Sequence, residues 1–528
     1  MKKLMLVILT GFLFFSCINV HHDEPRAVAI ERPEPPPPAR GVFYYSQFGA
    51  SGCGTVCDFD AIVMTHERAN LFGYTVRADP GAIYYIGATT RTAFIRTNTD
   101  WRGATFILDD AQVQFGGSDW ADSSLFIVES KQRPFQIHSI NRLTRGQERV
   151  PLNLGQRVML NVRDETTRVF IRSGANESAG TTKRDIILVE KDGTVYPGAP
   201  IQWDFDHITD ITAFPVDEDT LYITGGHFIR IVNPGVTPDM MMRRNIRITR
   251  SNVVVCGIFH EIPVQNLPIT SYTAFIQAYF AANVTIQNST FTGRLPPPFG
   301  GTLRGTYDLG ANSTINFTLR NVDQTNDITN SRYWGIFISN FAKNILLDNV
   351  RLSRFDAHMG VYNVTIRDSE LGWQGVQTVG KGDLVVINTT VRGSARYIAL
   401  RPDFGSTWEG NIYIRNGRFY PLPGQISIIT TTNNGQWWYG YDTFMPEFVF
   451  IDGFHIQDPG LVGEVRIIQN TQRVVGRPEP FPFRLTDTVF MRNVTTASGR
   501  PLMLAPNLVN DVTVINNPAD QSVWDWGW

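Results

Sequence analysis

The sequence predicts an all-β fold, a right-handed parallel β-helix with an N-terminal capping helix and an inserted β region. Three observations predict it. A short motif, Asn–apolar–x–apolar–x–Asn, recurs in the second half of the chain. Its most closely spaced copies end at residues 349, 368 and 388, which is the spacing of a minimal coil. A helical segment precedes the first strands. A chain of 528 residues exceeds one ordinary globular core, whereas a solenoid buries each repeat only against its neighbours.

The motif predicts one strand in each copy. The clear copies are 283–288, 344–349, 363–368 and 411–416, and weaker ones end at residues 321, 388, 453, 493 and 516. Apolar residues alternate within them, as in a strand with one buried face. The steps between copies are uneven, which predicts loops of different length inserted between successive coils of the same helix.

The asparagine that closes each copy has a physical reason. Asparagine tolerates the left-handed conformation that a sharp corner requires, and its amide can bond nearby backbone. Several of these asparagines also read as N-x-Ser/Thr, namely Asn283, Asn288, Asn363, Asn388 and Asn493. We interpret them as ladders of stacked corner side chains rather than glycan acceptors.

Residues 58–87 predict the cap of the solenoid. Apolar residues at helical spacing indicate a helix over about 61–71 that ends before Gly73, followed by strands at 74–76 and 82–86 around the turn Asp79-Pro80-Gly81. This segment resembles the first segment of pectate-lyase-like and phage-tailspike-like β-helices. Over roughly residues 41–520 the whole pattern resembles the pectin-lyase-like superfamily, which implies the fold and a carbohydrate-active protein.

The resemblance leaves the reaction open, because a fold hosts many activities. The Gly-His-Gly and Arg-Ile-Lys motifs of polygalacturonase-like enzymes do not occur in the chain, and neither does the Trp-Ile-Asp-His motif of pectate lyases.

The first 17 residues are typical of an export signal. Lys2 and Lys3 precede an apolar run over 4–15, which is too short to span a bilayer. Ser16-Cys17 resembles the end of a bacterial lipoprotein signal, which implies lipidation of Cys17; an ordinary signal peptide is the alternative. Prolines 35–38 predict a stiff tether. We therefore expect an exported protein anchored to the cell envelope by lipid.

The chain divides into a signal (1–17), a tether (18–40), a cap with the first coils (41–117), an inserted β region (118–235) and the main β-helix (236–528). Cys53 and Cys57 are candidates for a disulfide in an exported protein, with buried free thiols as the alternative. The net charge of −2 argues against nucleic acid as a partner. No cofactor or metal is expected from a motif, although calcium can be held by dispersed residues.

Candidate catalytic residues come from aligning the coils on their closing positions. Asp327 follows residue 321 by six positions and Asp356 follows 349 by seven, which predicts a stacked carboxylate pair in one groove. Two nearby carboxylates suit glycoside hydrolysis, since like charges raise the pKa of one of them. A corner role is the alternative for Asp327. On this hypothesis Asp356→Asn abolishes cleavage and leaves folding intact.

Arg354, Asp356 and His358 alternate along one segment, so all three are expected to share one face. His358 is the third candidate catalytic residue. Candidates for substrate binding are Arg354, Tyr333, Trp334, Trp373, Arg401, Asp403, Trp408 and Asp308. An internal Arg401–Asp403 salt bridge and core positions for the aromatic residues are the alternatives.

Three functions fit this sequence. The first is a glycoside hydrolase that uses Asp327 and Asp356. The second is a polysaccharide lyase with His358 or Lys381 as base, and arginines that neutralise the uronate. The third is a non-catalytic glycan-binding or adhesive protein. In each case the expected partner is a polysaccharide or oligosaccharide.

Overall fold

The computed structural model describes residues 41–113, 123–172, 177–234, 242–263, 272–295, 307–335, 337–431, 436, 438–458, 463–470 and 483–526. The predictions for the signal, the tether and Cys17 lie outside these residues. Within them no helix is long and apolar enough to cross a membrane.

The cap and the first coils occupy residues 42–128. Their strands are β1 (Val42–Tyr44), β2 (Cys53–Cys57), β3 (Thr75–Arg77), β4 (Ile83–Ile86), β5 (Ala93–Ile95), β6 (Thr99–Asp100), β7 (Thr105–Asp109) and β8 (Phe126–Val128). Helix α1 (Phe59–Phe72) ends at Gly73, whose φ of 71° is left-handed. The helix and both strands predicted for this segment are confirmed within two or three residues at their ends.

An antiparallel sheet is inserted after the first coils. Its strands are β9 (Phe135–Gln136), β10 (Val158–Val169), β11 (Thr181–Val189) and β12 (Asp210–Pro215), in the order β11-β10-β12-β9. The sheet has its own apolar core, which includes Leu160, Ile187 and Ile211. The predicted inserted region, 118–235, is too long, because residues 126–128 and 221–231 pair with the coils of the β-helix.

The remaining strands continue the β-helix. They are β13 (Leu221–Thr224), β14 (His227–Ile231), β15 (Ile246–Ile248), β16 (Val253–Cys256), β17 (Phe259–Glu261), β18 (Ile276–Phe291), β19 (Leu309–Gln324), β20 (Phe337–Asn340), β21 (Lys343–Met359), β22 (Val361–Arg367), β23 (Glu370–Thr378), β24 (Gly380–Ile387), β25 (Thr390–Ser394), β26 (Arg396–Leu400), β27 (Trp408–Pro421), β28 (Ile426–Thr431), β29 (Thr443–Phe444), β30 (Phe448–Ile456), β31 (Val465–Asn470), β32 (Phe483–Arg484), β33 (Thr488–Thr496), β34 (Leu502–Met503) and β35 (Thr513–Asn516). Short 3-10 helices lie at Tyr45–Phe48, Pro402–Phe404 and Gln521–Trp524.

Parallel pairing between successive coils defines the architecture. Thr105 pairs with His227, His227 with Phe259, and Phe259 with Thr290, each one coil further along. Twenty-nine described strands join one sheet through such pairs. Parallel strands connected in this way form a right-handed crossover, so the predicted right-handed parallel β-helix is confirmed.

The interior consists of stacked apolar side chains, one from each coil. One such stack runs through consecutive paired positions: Ile286, Leu319, Leu347, Ile366, Val386, Ile414, Ile451 and Met491. All of these side chains are buried. Burial of such rows is the main favourable contribution to folding, and it requires that outward positions alternate with inward ones.

The predicted corner ladders are confirmed. The closing positions Asn288, Asn321, Asn349, Asp368, Asn388, Asn416, Gly453 and Asn493 all have positive φ, and the last corner is at Asn517 instead of 516. The Asn321 amide donates to Asn288 at 2.8 Å and the Asn349 amide to Asn321 at 2.8 Å. A second ladder joins the opening asparagines 252, 283, 316, 344 and 363. The side-chain bonds offset part of the strain of the left-handed corners.

The cap contains a buried histidine that makes stability depend on pH. Nε2 of His66 lies 2.9 Å from the Tyr45 hydroxyl, and burial lowers the pKa of His66 from 6.5 to about 3. The unfolded chain binds a proton near pH 6.5 and the folded chain does not, so stability falls as the pH falls below 6.5.

Between pH 6.5 and pH 5 the free energy of unfolding of the wild type should fall, and protonation of His66 in the unfolded chain should account for about 2 kcal/mol of that fall. We expect the fall to be smaller by this amount in His66→Gln, which has no group that titrates at this position. Urea unfolding at both pH values measures the difference. His207→Gln, at a largely exposed histidine of the inserted region, is the control. Equal pH dependence in the wild type and His66→Gln would contradict the expected effect.

Candidate functional site

The site is built on the last part of β21. Phe355 and Ala357 point into the apolar core, so Arg354, Asp356 and His358 lie on the outer face. This confirms that the three share one face. Outer positions of a solenoid normally meet solvent, yet Arg354 is 1% and Asp356 0% exposed. A buried charged group on an outer face indicates a site that other segments cover.

Asp356 accepts hydrogen bonds on both carboxylate oxygens. The Tyr307 hydroxyl donates to Oδ2 at 2.6 Å and Nη1 of Arg401 donates to Oδ1 at 2.7 Å. Nη2 of Arg354 also contacts Oδ2, and Nε2 of His358 lies 3.1 Å from it. A buried carboxylate is stable only with such compensation.

The surroundings fix the charge of this carboxylate. Burial raises the pKa of Asp356, but the nearby Arg354, His358 and Arg401 lower it more, so its pKa lies well below the usual value. Asp356 is therefore ionised at all pH values near neutrality and cannot be a general acid. Burial lowers the pKa of His358 more than Asp356 raises it, so the imidazole favours its neutral form.

His358 is oriented by Asp356. An ionised carboxylate can only accept, so Nε2 of His358 carries the proton that it donates to Oδ2. In the neutral imidazole Nδ1 is then an unprotonated acceptor. The side chain is 23% exposed, in contrast to Asp356 behind it. The pair thus presents a basic nitrogen at the solvent-facing edge of a rigid charge network.

The rim of the site lies on the 401–406 turn. Arg401 donates to Asp403 through Nε at 3.2 Å and Nη2 at 2.9 Å, so the salt bridge considered as an alternative exists. Arg401 bonds Asp356 as well, which ties the rim to the buried network. Arg172, from the hairpin between β10 and β11, contacts the same Asp403 at 2.8 Å.

The predicted stacking of Asp327 with Asp356 is wrong. In the coil before, Ser339 pairs with Ala357, and in the coil after, Gln377 pairs with Asp356. Asp327 is exposed and lies in the loop before β20, where it accepts from the backbone N–H and the hydroxyl of Thr329. Loop length between coils varies, so counting from the closing asparagine does not give the stacking partner beyond the strand.

The three candidate tryptophans lie in different places: one in the site, one next to it and one in the core. Trp334 belongs to the site, because its Nε1 donates to Tyr307 at 2.8 Å and its ring lies 4.4 Å from the Arg354 guanidinium. Trp373 bonds the backbone of Tyr333 at 2.8 Å beside it. Trp408 is fully buried in the core and donates to the Gly382 carbonyl, so its predicted role in substrate binding is wrong.

Two charged candidates are also buried too deeply to meet substrate. Asp308 is 0% exposed and is held between His260 at 3.0 Å and Arg294 at 2.6 Å, in a separate internal network. Arg354 holds Asp356 and Tyr307 from behind. The predictions that Asp308 and Arg354 bind substrate are therefore wrong, because neither side chain reaches solvent.

Cys53 and Cys57 are free thiols on an exposed strand, so the structure has neither the predicted disulfide nor the buried alternative. Within the described ranges, no group of three His, Cys, Asp or Glu side chains has the arrangement of a metal site.

A polar cleft separate from this site lies between the inserted sheet and the coils. It has a volume of about 250 Å³ and is lined by Trp203, Lys381 and Glu409, among others. Lys381 bonds Glu409 at 2.7 Å and lies 4.2 Å from the Trp203 ring centre, and Arg145 bonds the other Glu409 oxygen at 2.6 Å. The alternative base named from the sequence, Lys381, thus belongs to a different site from His358.

Sequence reasoning missed Tyr307 and Arg172 as members of the site. Tyr307 adjoins a residue that was singled out, Asp308, but nothing in the motif distinguishes the two. Arg172 lies in the inserted region, more than 200 positions from Asp403. Only the docking of the hairpin brings it to the site, and single-sequence patterns carry no signal for such docking.

No protein-family model and no curated protein sequence matches the chain. Solved structures match it by fold. The tailspike Gp54 of Acinetobacter baumannii bacteriophage AP22, in complex with A. baumannii capsular saccharide, is 10% identical over 86% of this chain and 76% of its own, with a TM-score of 0.48. The tailspike gp49 of Pseudomonas phage LKA1 is 12% identical over 85% and 80%, with a TM-score of 0.45.

The surface adhesin PfbA of Streptococcus pneumoniae is 11% identical over 88% of this chain and 95% of its own, with a TM-score of 0.39. These three similarities have TM-scores below 0.5 and identities below 25%. At such identities and scores they carry no information on the chemistry of the site.

Proposed function

We propose that the chain binds an acidic polysaccharide and cleaves it by β-elimination, with His358 as the base. The observation that carries this proposal is the placement of a neutral, carboxylate-oriented histidine and an arginine on the two oxygens of one buried Asp356. A base beside a fixed cation is the arrangement needed to remove a proton next to a carboxylate group.

In this reaction Nδ1 of His358 takes the proton from C5 of a uronate unit. The electron pair forms the C4–C5 double bond, the bond from C4 to the glycosidic oxygen breaks, and that oxygen takes a proton from water. Arg401 binds the uronate carboxylate and stabilises the negative charge that develops on it. Asp356, Arg354 and Tyr307 position the two reacting side chains and touch no substrate atom.

Two further features support a polymeric substrate. The stacked coils present an extended lateral face, as solenoid proteins that bind long ligands do. The export signal predicted from residues 1–17 is consistent with a substrate outside the cytoplasm. The proposed location is the bacterial cell envelope, with a lipid anchor at Cys17.

Glycoside hydrolysis is the second candidate, and one observation on strands β24 and β27 favours it. A hydrolase needs one carboxyl group with a raised pKa beside an ionised one. Burial raises the pKa of Asp383, whereas Lys381 lowers that of Glu409 despite burial. The two carboxylates lie on paired strands, where Lys381 is opposite Glu409 and Asp383 opposite Asn411.

A panel of acidic and neutral polysaccharides separates these proposals. Digests are read for new reducing ends and for the ultraviolet absorbance of unsaturated uronides. We expect both signals from an acidic polymer. Reducing ends without absorbance would overturn elimination in favour of hydrolysis, and Glu409→Gln should then abolish them. Binding without either signal would overturn both reactions and leave a non-catalytic glycan-binding protein.

A further inference from the structure

The inserted sheet reaches the site through Ile171 and Arg172, which follow β10. Ile171 donates its backbone N–H to the Tyr439 carbonyl at 3.0 Å, and Arg172 exchanges backbone hydrogen bonds with Ser178 at 3.0 and 3.1 Å. The amide of Gln436 donates to the Ile171 carbonyl at 2.8 Å. Hydrogen bonds therefore fix the backbone at Ile171 to the segment that contains Gln436 and Tyr439, and the backbone at Arg172 to Ser178.

Arg172 and Arg401 are held side by side at the rim. Nη2 of each guanidinium bonds the same oxygen, Oδ2 of Asp403, at 2.8 and 2.9 Å. The two nitrogens thus lie within about 6 Å of each other with the Asp403 carboxylate between them, and the second N–H of each nitrogen is left to bond another carboxylate. Phe404 lies beneath both, with its ring centre 4.8 Å from the Arg172 guanidinium and 5.8 Å from that of Arg401.

The charges in this network do not balance. Its three guanidinium groups face two carboxylates, the residues being Arg354, Arg401 and Arg172 against Asp356 and Asp403. The excess positive charge lies at the rim, because Arg354 is buried against Asp356 while Arg172 is 21% exposed. Nε of Arg172 has no hydrogen-bond partner among the described residues. Excess positive charge at a partly exposed rim attracts an anion.

We infer that Arg172 and Arg401 together form a clamp for one uronate carboxylate, and that the inserted sheet thereby determines selectivity for acidic over esterified sugar units. This inference rests on the proposed function, since it assigns a second cation to the same carboxylate that Arg401 binds. Arg172 is a substrate-binding residue here and takes no part in proton transfer. A guanidinium fits this role because its planar donors match a carboxylate.

The test uses the full chain and the acidic polymer that is cleaved in the panel, as free acid and as its methyl ester. Arg172→Gln is compared with Arg172→Lys and with Arg149→Gln, a control at an exposed arginine of the same inserted region. We expect Arg172→Gln to raise KM for the free acid about tenfold with little change in kcat, and to reduce the preference for acid over ester by a similar factor. Arg172→Lys should recover part of the preference, and Arg149→Gln should match the wild type.

An unchanged ratio of kcat/KM between acid and ester in Arg172→Gln would overturn the clamp. So would an equal fall on both polymers, which is the result expected if Arg172 only holds the hairpin in place. These results differ from failure of the proposed function, in which the wild type itself yields no unsaturated product from any polymer.

Discussion

His358→Ala is expected to lower the rate of unsaturated-uronide formation by about 10²–10⁴-fold, the range that a general base contributes. The effect should fall on kcat, because binding of the uronate depends on the arginines at the rim. The side chain is partly exposed at the edge of the network, so the variant should retain the fold. Initial rates of absorbance increase, with substrate binding measured separately by calorimetry, give the result.

His455→Ala is the matched control, since His455 also lies on a β-helix strand but is exposed and bonds Thr495. It should leave the rate unchanged. In the wild type the rate should fall as acid protonates His358, and because burial lowers the pKa of this histidine, that fall should begin below pH 6.5. A His358→Ala variant with the wild-type rate would rule out this residue as the base.

Asp356→Asn is expected to destabilise the protein by about 3–5 kcal/mol as well as to abolish activity. The substitution leaves the buried Arg354 without its anion. Tyr307 and Arg401 donate to different carboxylate oxygens, and the NH2 group that replaces one of these oxygens cannot accept, so one of the two hydrogen bonds is lost. This differs from the expectation drawn from the sequence, that folding would stay intact. Urea unfolding of wild type and variant at pH 7 measures the loss.

Asp327→Asn provides the comparison, because Asp327 is exposed and bonds only its own turn. It should change stability by no more than about 0.5 kcal/mol and leave activity unchanged. If Asp327→Asn and Asp356→Asn instead behaved alike in both measurements, the buried network would have no special role, and the carboxylate pair expected from the sequence would regain support.

The fold was predictable because its cause is local and repeated. Each corner needs a residue that accepts positive φ, and each strand needs alternating apolar residues, so both requirements are written into every coil. The closing asparagines identified in this way adopt that conformation in the structure, from Asn288 to Asn493.

The site was only partly predictable, because its members come together through loops. Alternation along one strand correctly placed Arg354, Asp356 and His358 on one face. The identity of the groups that cover this face, Tyr307 and Arg401, depends on loop paths that have no period. Trp408 was misjudged for a related reason, since a tryptophan just after a polar turn can start the next buried strand.

The insertion between β8 and β13 has a consequence for how the chain assembles. The backbone of Tyr222 bonds the side chain of Asn98 across 124 positions. The coil of β6, β7 and β8 therefore pairs with the coil that follows it only after the inserted sheet has been synthesised. Closing so long a loop adds little to the equilibrium cost, which grows with the logarithm of length, but distant pairings form slowly. The inserted sheet has its own apolar core. It can therefore fold first and bring β8 and β13, the strands on either side of the insertion, close together. We therefore expect assembly to start from two centres, the insertion and the regular coils after it, with the N-terminal cap joining last.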